Sequence, residues 1–421
     1  MMKPACASGG TSLVASEPDR LSALPDCLLH TIMSFLKARQ VVQTCVLSTR
    51  WRHLWCSVPC LDIDIDEFNT GSGLSYLGVP HNDKNWEDFE DFAVNLMLHS
   101  NIALMDSFRL NIRCTKGPIF GSQLAASWLR RAMKYRGPSH SIQLAESSNS
   151  WRLKKMYLCN IFLDDRFAKH VSSVCHSLEH LELTDCTCQL YAITSYSLKN
   201  FVLKNCCCIK LSEIMSVTLK SLVIDGGSNS YDDYLVITAP SVANLHLAVD
   251  VVCFHAGISL NEMPCLDKAS ILLLGNRERG MESKLGRDQF KLLCSLSTVV
   301  SLELSNLMTM VFSEECTTTC KQFKNLRNLL LENCDVSDDF QTMALFLETS
   351  PHLEKLTLRH CTISNGTKKW ISSQCRSLNV LRANLKLTKI IYKDDVCQLV
   401  QHFVHNSENL PNNQFEFRKV D

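Results

Sequence analysis

A nine-residue spelling, L-x-x-L-x-L-x-x-C, recurs along most of this chain. It stands as LEHLELTDC at 178–186, LKNFVLKNC at 198–206, LRNLLLENC at 326–334 and LEKLTLRHC at 353–361. Looser copies start at Leu153, Leu219, Val242, Leu266, Val299 and Leu378. A unit this short cannot bury a core of its own, so each must stack on its neighbours and the fold must be a repeat array. Within a unit, positions four and six point to one face of a short strand and position one packs beneath them. The ninth position turns into a narrow column that takes a small side chain. Cys186, Cys206, Cys334 and Cys361 are therefore read as a ladder of structural thiols.

The starts lie 20 to 33 residues apart, and most steps fall in the 20–29 residues of a leucine-rich repeat. The segments AKHVSSVCHS, MALFLETSPH and TKKWISSQCRS read as short helices on the outer, convex side. The middle copies are worn: Gly227 and Asp250 occupy ninth positions, and Ala269 a fourth. Strands are expected there more firmly than helices. The longest step holds GNRERGMESKLGRD, an exposed loop before a helix at about 288–296. Ahead of the clear repeats, 57–150 reads as irregular early units. LDIDID and FRLNIRC alternate as strands, helices are expected at Trp86–His99 and Gln123–Tyr135, and NTGSGLSYLGVPHNDKN is a loop. DDVCQLVQHFVHNSENL reads as a capping helix within a C-terminal cap and tail, 391–421.

Chemistry of the chain's own is hard to find. The sequence contains no G-x-S-x-G, Walker loop, G-x-G-x-x-G or H-E-x-x-H. Its 22 cysteines include no C-x-x-C pair, and Cys186-x-Cys188 and Cys316-x-x-x-Cys320 lack ligand partners at finger-like spacing. No metal, cofactor or catalytic residue is expected. The start has no signal-like apolar core and no run reaches membrane-span length, so the thiols are expected to stay reduced. The 43 basic residues balance 43 acidic ones, which removes the usual electrostatic footprint of a nucleic-acid binder.

Near the N-terminus, SALPDCLLHTIMSFLKARQVVQTCVLSTRWRHLW (22–55) is too short and too apolar to stand alone. Leu24, Leu28, Ile32 and Leu36 recur every four residues on a helix from Pro25 to about Leu36, with Leu29 and Phe35 widening the stripe. A short helix at Arg39–Cys45 and a third after Ser48, with Trp51, Leu54 and Trp55 on one face, complete the unit. The apolar excess suits a partner, or a cap on the neighbouring domain. A helix-turn-helix DNA reader would use Arg50 and Arg52, but its third helix offers few base-reading side chains.

LPDCLLHTIMSFL followed by VVQTCVLSTRWRHLW resembles an F-box of the plant F-box/leucine-rich-repeat type. The likeness runs from Arg20 to about Trp55 and on into SVPCLDID. It implies an α/β fold: a disordered start at 1–19, a three-helix F-box at 20–56, early repeats at 57–150, a repeat solenoid or horseshoe at 151–390, and the capping helix. In that family the motif docks on the adaptor Skp1, which implies contacts by Leu24, Pro25, Leu28, Leu29, Ile32, Leu36 and Trp51. Between Arg20 and Trp55, Arg20, Lys37, Arg39, Arg50 and Arg52 face only Asp26, a balance suited to an acidic adaptor.

The resemblance further implies the non-catalytic substrate-recognition subunit of a Skp1–cullin–F-box ubiquitin ligase, working in nucleus or cytoplasm, with neither nucleic acid nor membrane as partner. Outward strand positions would face an unknown target protein, and Tyr157, His180, Glu182, His246, Glu303, Arg359 and Arg382 are the candidates. Two other readings stay open: an interaction scaffold without a ligase role, and a small-molecule-regulated receptor of the same architecture.

Overall fold

The computed structural model describes residues 20–21, 23–68, 83–101, 104–112, 152–250, 253–254, 257–261, 263–274, 292–306, 322–334, 346–347, 349–362, 385–393 and 413–420. The start expected to be disordered, the helix expected at Gln123–Tyr135, the loop expected at GNRERGMESKLGRD, TKKWISSQCRS, the expected capping helix and Arg382 lie outside the described residues.

Alternating apolar residues in the repeats make strands, and the strands make one 13-stranded sheet. It runs, in chain order, through Cys60–Asp64, Ser107–Asn111, Lys155–Cys159, His180–Thr184, Asn200–Lys204, Ser221–Asp225 and Asn244–Asp250. Lys268–Leu274, Ser301–Ser305, Asn328–Glu332, Lys355–Arg359, Leu387–Tyr392 and Gln414–Lys419 continue it. Every pairing is parallel, and the register follows the spelling: Met156 lies opposite Leu181, Leu181 opposite Phe201, and Phe201 opposite Leu222. Positions four and six are buried along nearly the whole length. Twisted parallel strands with matched registers stack their side chains into continuous apolar rows, so one core spans the units.

The register corrects one start. Leu356 pairs with Thr388 and Leu358 with Ile390, so the unit after LEKLTLRHC begins at Leu385, not at Leu378. The segment expected to be tail also holds a strand: Gln414–Lys419 pairs with Leu387–Tyr392. Early units place Leu61 opposite Phe108 and Phe108 opposite Met156, so LDIDID and FRLNIRC enter the same sheet.

The eighth position carries the turn. Asn160, Asp185, Asn205, Asn306, Asn333 and His360 all have φ between 50° and 58°, and Gly226 supplies 67° in the worn unit. That left-handed region is costly for most side chains but accessible to Asn, Asp and Gly. The chain then turns inward, and the ninth-position thiols reach back one unit. Cys186 Sγ donates to the Leu158 carbonyl (3.5 Å), Cys206 to Leu183 (3.3 Å), Cys334 to Leu304 (3.6 Å) and Cys361 to Leu331 (3.4 Å). Each acceptor is the sixth position of the preceding unit. Burial pushes the Cys186 thiol well above its ordinary range and that of Cys175, outside the ladder, up to about 12, so these two are packing groups, whereas hydrogen bonds from Cys186 and Cys188 hold the Cys206 thiol below its ordinary range.

Gly227 stands where a ninth-position cysteine would. A Cβ there would come 2.2 Å from the Cys206 carbonyl oxygen, and φ is 80°. The backbone has closed into the space that a thiol fills elsewhere.

On the outer side, the first clear unit returns through a helix, Asp165–Ser173, capped by Asp164, whose carboxylate accepts from Phe167 N–H at 3.0 Å. The next units are too short for a helical return. They use strands instead, in two four-stranded parallel sheets. Ala192–Thr194, Glu213–Met215, Leu235–Thr238 and Ile258–Leu260 form one; Phe162–Asp164, Thr187–Gln189, Cys207–Cys208 and Ser228–Asn229 form the other.

At the N-terminal end, Asp26–Met33 and Ala38–Gln43 are α-helices, while Thr44–Val46 and Trp51–Ser57 are 3-10 turns. The third expected helix is thus 3-10, a winding that sets residues three apart one above another. Trp51 and Leu54 there pack on the small core of Leu29, Met33 and Val41. A longer helix, Asp83–His99, begins three residues before the expected Trp86 and buries Phe89, Ala93 and Leu96.

Candidate interaction surfaces

The first helix has two apolar faces. Leu29 and Met33 close the small core with Trp51, Val41 and Val58, and all five are buried. On the other face Pro25 is exposed, Leu28 is 47% exposed and Ile32 is 42% exposed. Phe35 (84%) lies just past the helix, and Val46 (82%) and Leu47 (57%) follow the second helix. Leu24 and Leu36 are half-buried on the small core. Of the seven expected contacts, Pro25, Leu28 and Ile32 therefore face solvent, whereas Leu29 and Trp51 are interior supports. Phe35, Val46 and Leu47 are the most exposed of the large apolar side chains that the seven omitted; all three were legible as apolar residues within the motif.

The basic excess of this unit is largely spent on the chain itself. Lys37 pairs with Asp64 at the end of the first strand, and that hydrogen bond raises its pKa. Arg39 donates to the Glu67 carbonyl oxygen, its own N–H meets the Glu67 carboxylate at 3.2 Å, and its guanidinium lies 4.6 Å from the Phe68 ring centroid. Arg50 pairs with Asp26. Ala38 enters the large core. The second helix is thus fastened to the first strand and the turn that follows it by one ion pair, the two hydrogen bonds of Arg39 with Glu67, and a buried methyl.

On the outward face of the sheet, register places Asp62, Arg109, Tyr157 and Glu182 in one row that continues through Val202 and Val223 to His246. Glu303 stands two strands further. His180 lies one row toward the strand starts, and Arg359 one row beyond, paired with Glu332 at 3.3 Å. Tyr157, His180 and Glu182 come together: the Tyr157 and His180 rings are 4.9 Å apart, and His180 Nε2 lies 3.7 Å from Glu182. Arg109, 4.6 Å from the Tyr157 ring, and Lys204, 3.1 Å from Glu182, extend the group. Burial lowers the His180 pKa, which keeps the imidazole neutral near pH 7. His246 and Glu303 are separated from this group by the half-buried Val202 and Val223. Arg109 was missed, although in FRLNIRC it holds the strand position that Tyr157 and Glu182 hold in theirs.

Residues 21–62 match the family model of the F-box domain, so the chain is an F-box protein. F-box domains in general bind Skp1-type adaptors. Along 96% of its length the chain is 26% identical to the meiotic F-box protein MOF of Oryza sativa subsp. japonica, covering 86% of that protein. It is 25% identical to F-box/LRR-repeat protein 13 of Arabidopsis thaliana over 85% of the chain and 82% of the relative. An F-box/FBD/LRR-repeat protein of Arabidopsis thaliana is 56% identical, but over only 13% of the chain and 12% of its own length. The chain belongs with the F-box/LRR-repeat proteins of plants.

Proposed function

We propose that this protein is the substrate-recognition adaptor of a Skp1–cullin–F-box ubiquitin ligase, with the thirteen strands lining a leucine-rich-repeat solenoid. The carrying observation is the cluster of Leu28, Ile32, Phe35, Val46 and Leu47, exposed on a unit whose small core is already filled. Apolar surface of this density on a folded unit suits a partner interface. A Skp1-like adaptor occupies it, and a cullin joins through that adaptor. A target protein sits on the outward face near Arg109, Tyr157, His180 and Glu182. The chain supplies no reacting group; it holds the target beside the ligase's ubiquitin donor, so transfer becomes effectively intramolecular.

The test is co-expression with a Skp1-type adaptor and cullin, followed by affinity recovery. The wild-type chain brings both down. Leu28→Asp/Ile32→Asp loses both while its thermal melting is unchanged, because neither residue is in the core. Recovery of the adaptor by this variant, or failure of the wild-type chain to recover it, rejects the reading.

A further inference from the structure

The strands of the large sheet are entered through residues that form a second row, along the rim where the strands begin. Their backbones are laddered: Glu179 N–H donates to the Lys154 carbonyl (2.8 Å), Lys199 to Glu179 (2.8 Å), Lys220 to Lys199 (2.8 Å) and Ala243 to Lys220 (2.9 Å). Neighbouring strands are about 4.8 Å apart, so Lys199 and Lys220 stand as immediate like-charged neighbours. Lys199 has Glu179 on its other side, with Nζ 2.8 Å from the carboxylate. The next residue beyond Lys220 in the row is Ala243.

Lys154, Lys155 and Lys268 add exposed cations to the same rim, against Glu179 and Asp267 as its carboxylates in this stretch. Like charges directly opposite one another across a sheet destabilise it. In a chain whose charges balance overall, this rim is locally basic.

An independent observation marks the same two units. Tyr196 is 66% exposed and Val217 is 49% exposed, each three residues before its rim lysine. The turns that carry them are built. Ser195 and Ser216, immediately before them, are buried, and Ser195 Oγ accepts from Leu198 N–H at 3.3 Å. Thr218 Oγ donates to the Leu198 carbonyl at 2.8 Å. Ordered turns thus hold an aromatic and an aliphatic side chain in solvent beside paired lysines.

We propose that this rim binds an extended polypeptide segment that is rich in carboxylates and carries aromatic or aliphatic side chains. The lysines neutralise the carboxylates, and Tyr196 and Val217 cover the apolar groups between them. A nucleic-acid duplex fits less well: it offers phosphates but no side chains to the exposed apolar pair, and Glu179 repels it. The surface lies apart from the F-box patch and borders the outward face where Lys155 pairs with His180; direct binding by the isolated full chain tests it separately from the ligase reading.

The experiment is fluorescence anisotropy of the full chain with three labelled polyanions at low salt: a glutamate–tyrosine copolymer, polyglutamate, and a DNA duplex of equal charge. The copolymer binds tightest, and added salt weakens it. Lys199→Glu/Lys220→Glu weakens it by about tenfold or more, as expected when rim charges are reversed against an acidic partner. Lys220→Gln gives a smaller loss. Tyr196→Ser/Val217→Ser lowers the copolymer to the level of polyglutamate. Lys393→Glu, an exposed change away from the rim, leaves binding as in wild type. Unchanged binding after charge reversal, equal wild-type affinity for copolymer and polyglutamate, or tighter binding of the duplex overturns the proposal. Far-UV circular dichroism shows the variants folded, since all four altered rim residues are exposed.

Discussion

The F-box unit and the repeat sheet use the same leucines and isoleucines in opposite ways. In the sheet, Leu181, Leu222 and Leu329 lie in rows where the neighbour on each adjoining strand is another apolar side chain, and all are buried. In the F-box, Leu28 and Ile32 lie one position away from Leu29 and Met33 on the same helix, yet remain exposed. Composition is alike; what differs is whether the next unit exists to cover the face. A repeat array supplies that cover from within, whereas a lone helical unit of this size must obtain it from another chain.

The largest effects should separate the two regions. Leu356→Ala in the sheet is expected to cost about 2–5 kcal/mol, read as a lower urea midpoint, because it opens a cavity in a continuous core. Leu28→Ala should leave the same midpoint within about 0.5 kcal/mol, as surface changes do, while weakening adaptor recovery. If Leu28→Ala unfolds the protein, the contrast between the regions is broken.

A sharper version lies inside the sheet. Gly227→Cys restores the repeat spelling but should lower stability by about 3 kcal/mol, since the new Cβ meets the Cys206 backbone at a positive φ. An unchanged melting temperature would show that the backbone there relaxes freely.

Smaller again is Asn205→Ala, expected to cost about 1–2 kcal/mol by placing a side chain without a local hydrogen bond at φ 50°. Asn205→Gly should be better tolerated in the same melt.

The smallest effect concerns pH. Burial lowers the His180 pKa in the folded protein, so the unfolded chain binds a proton first as pH falls. Stability is full above the unfolded value near 6.5 and declines below it. His180→Phe should flatten that part of the melting-temperature profile between pH 7.5 and 5.5. An identical profile in the variant would remove His180 from the acid response.

Much of the sheet was legible because periodicity reports burial directly. The starts from Leu153 through Leu353 sit in register on the strands. The last start went astray because SLNVLRANLKL offers a competing leucine frame, while the true fourth position is Thr388, polar in type yet buried. The eighth-position turn was visible in TDC, KNC, ENC and RHC as a run of Asp, Asn and His, but only the cysteines were read. On the F-box, the stripe pointed to the exposed face. Spacing alone did not separate the interior Leu29 and Trp51 from it, because a helix with apolar residues on two sides shows one merged pattern. The pairings of Lys37 and Arg39 were illegible for a different reason: their partners lie 27 and 28 residues downstream, across a junction that no local rule describes.

That junction gives the sheet the character of a measuring stick. The second F-box helix is fastened to the first strand, and each later strand adds one step of about 4.8 Å along the sheet. Under the proposed function, how far a target would stand from the adaptor is then a matter of how many strands separate its contacts from Asp64. A target gripped at Tyr157, on the third strand, would be held close to the adaptor, and one gripped at Arg359, on the eleventh, roughly 38 Å further along the sheet. Adding or deleting one whole unit between them would move that distance by one step and leave both gripping surfaces as they were.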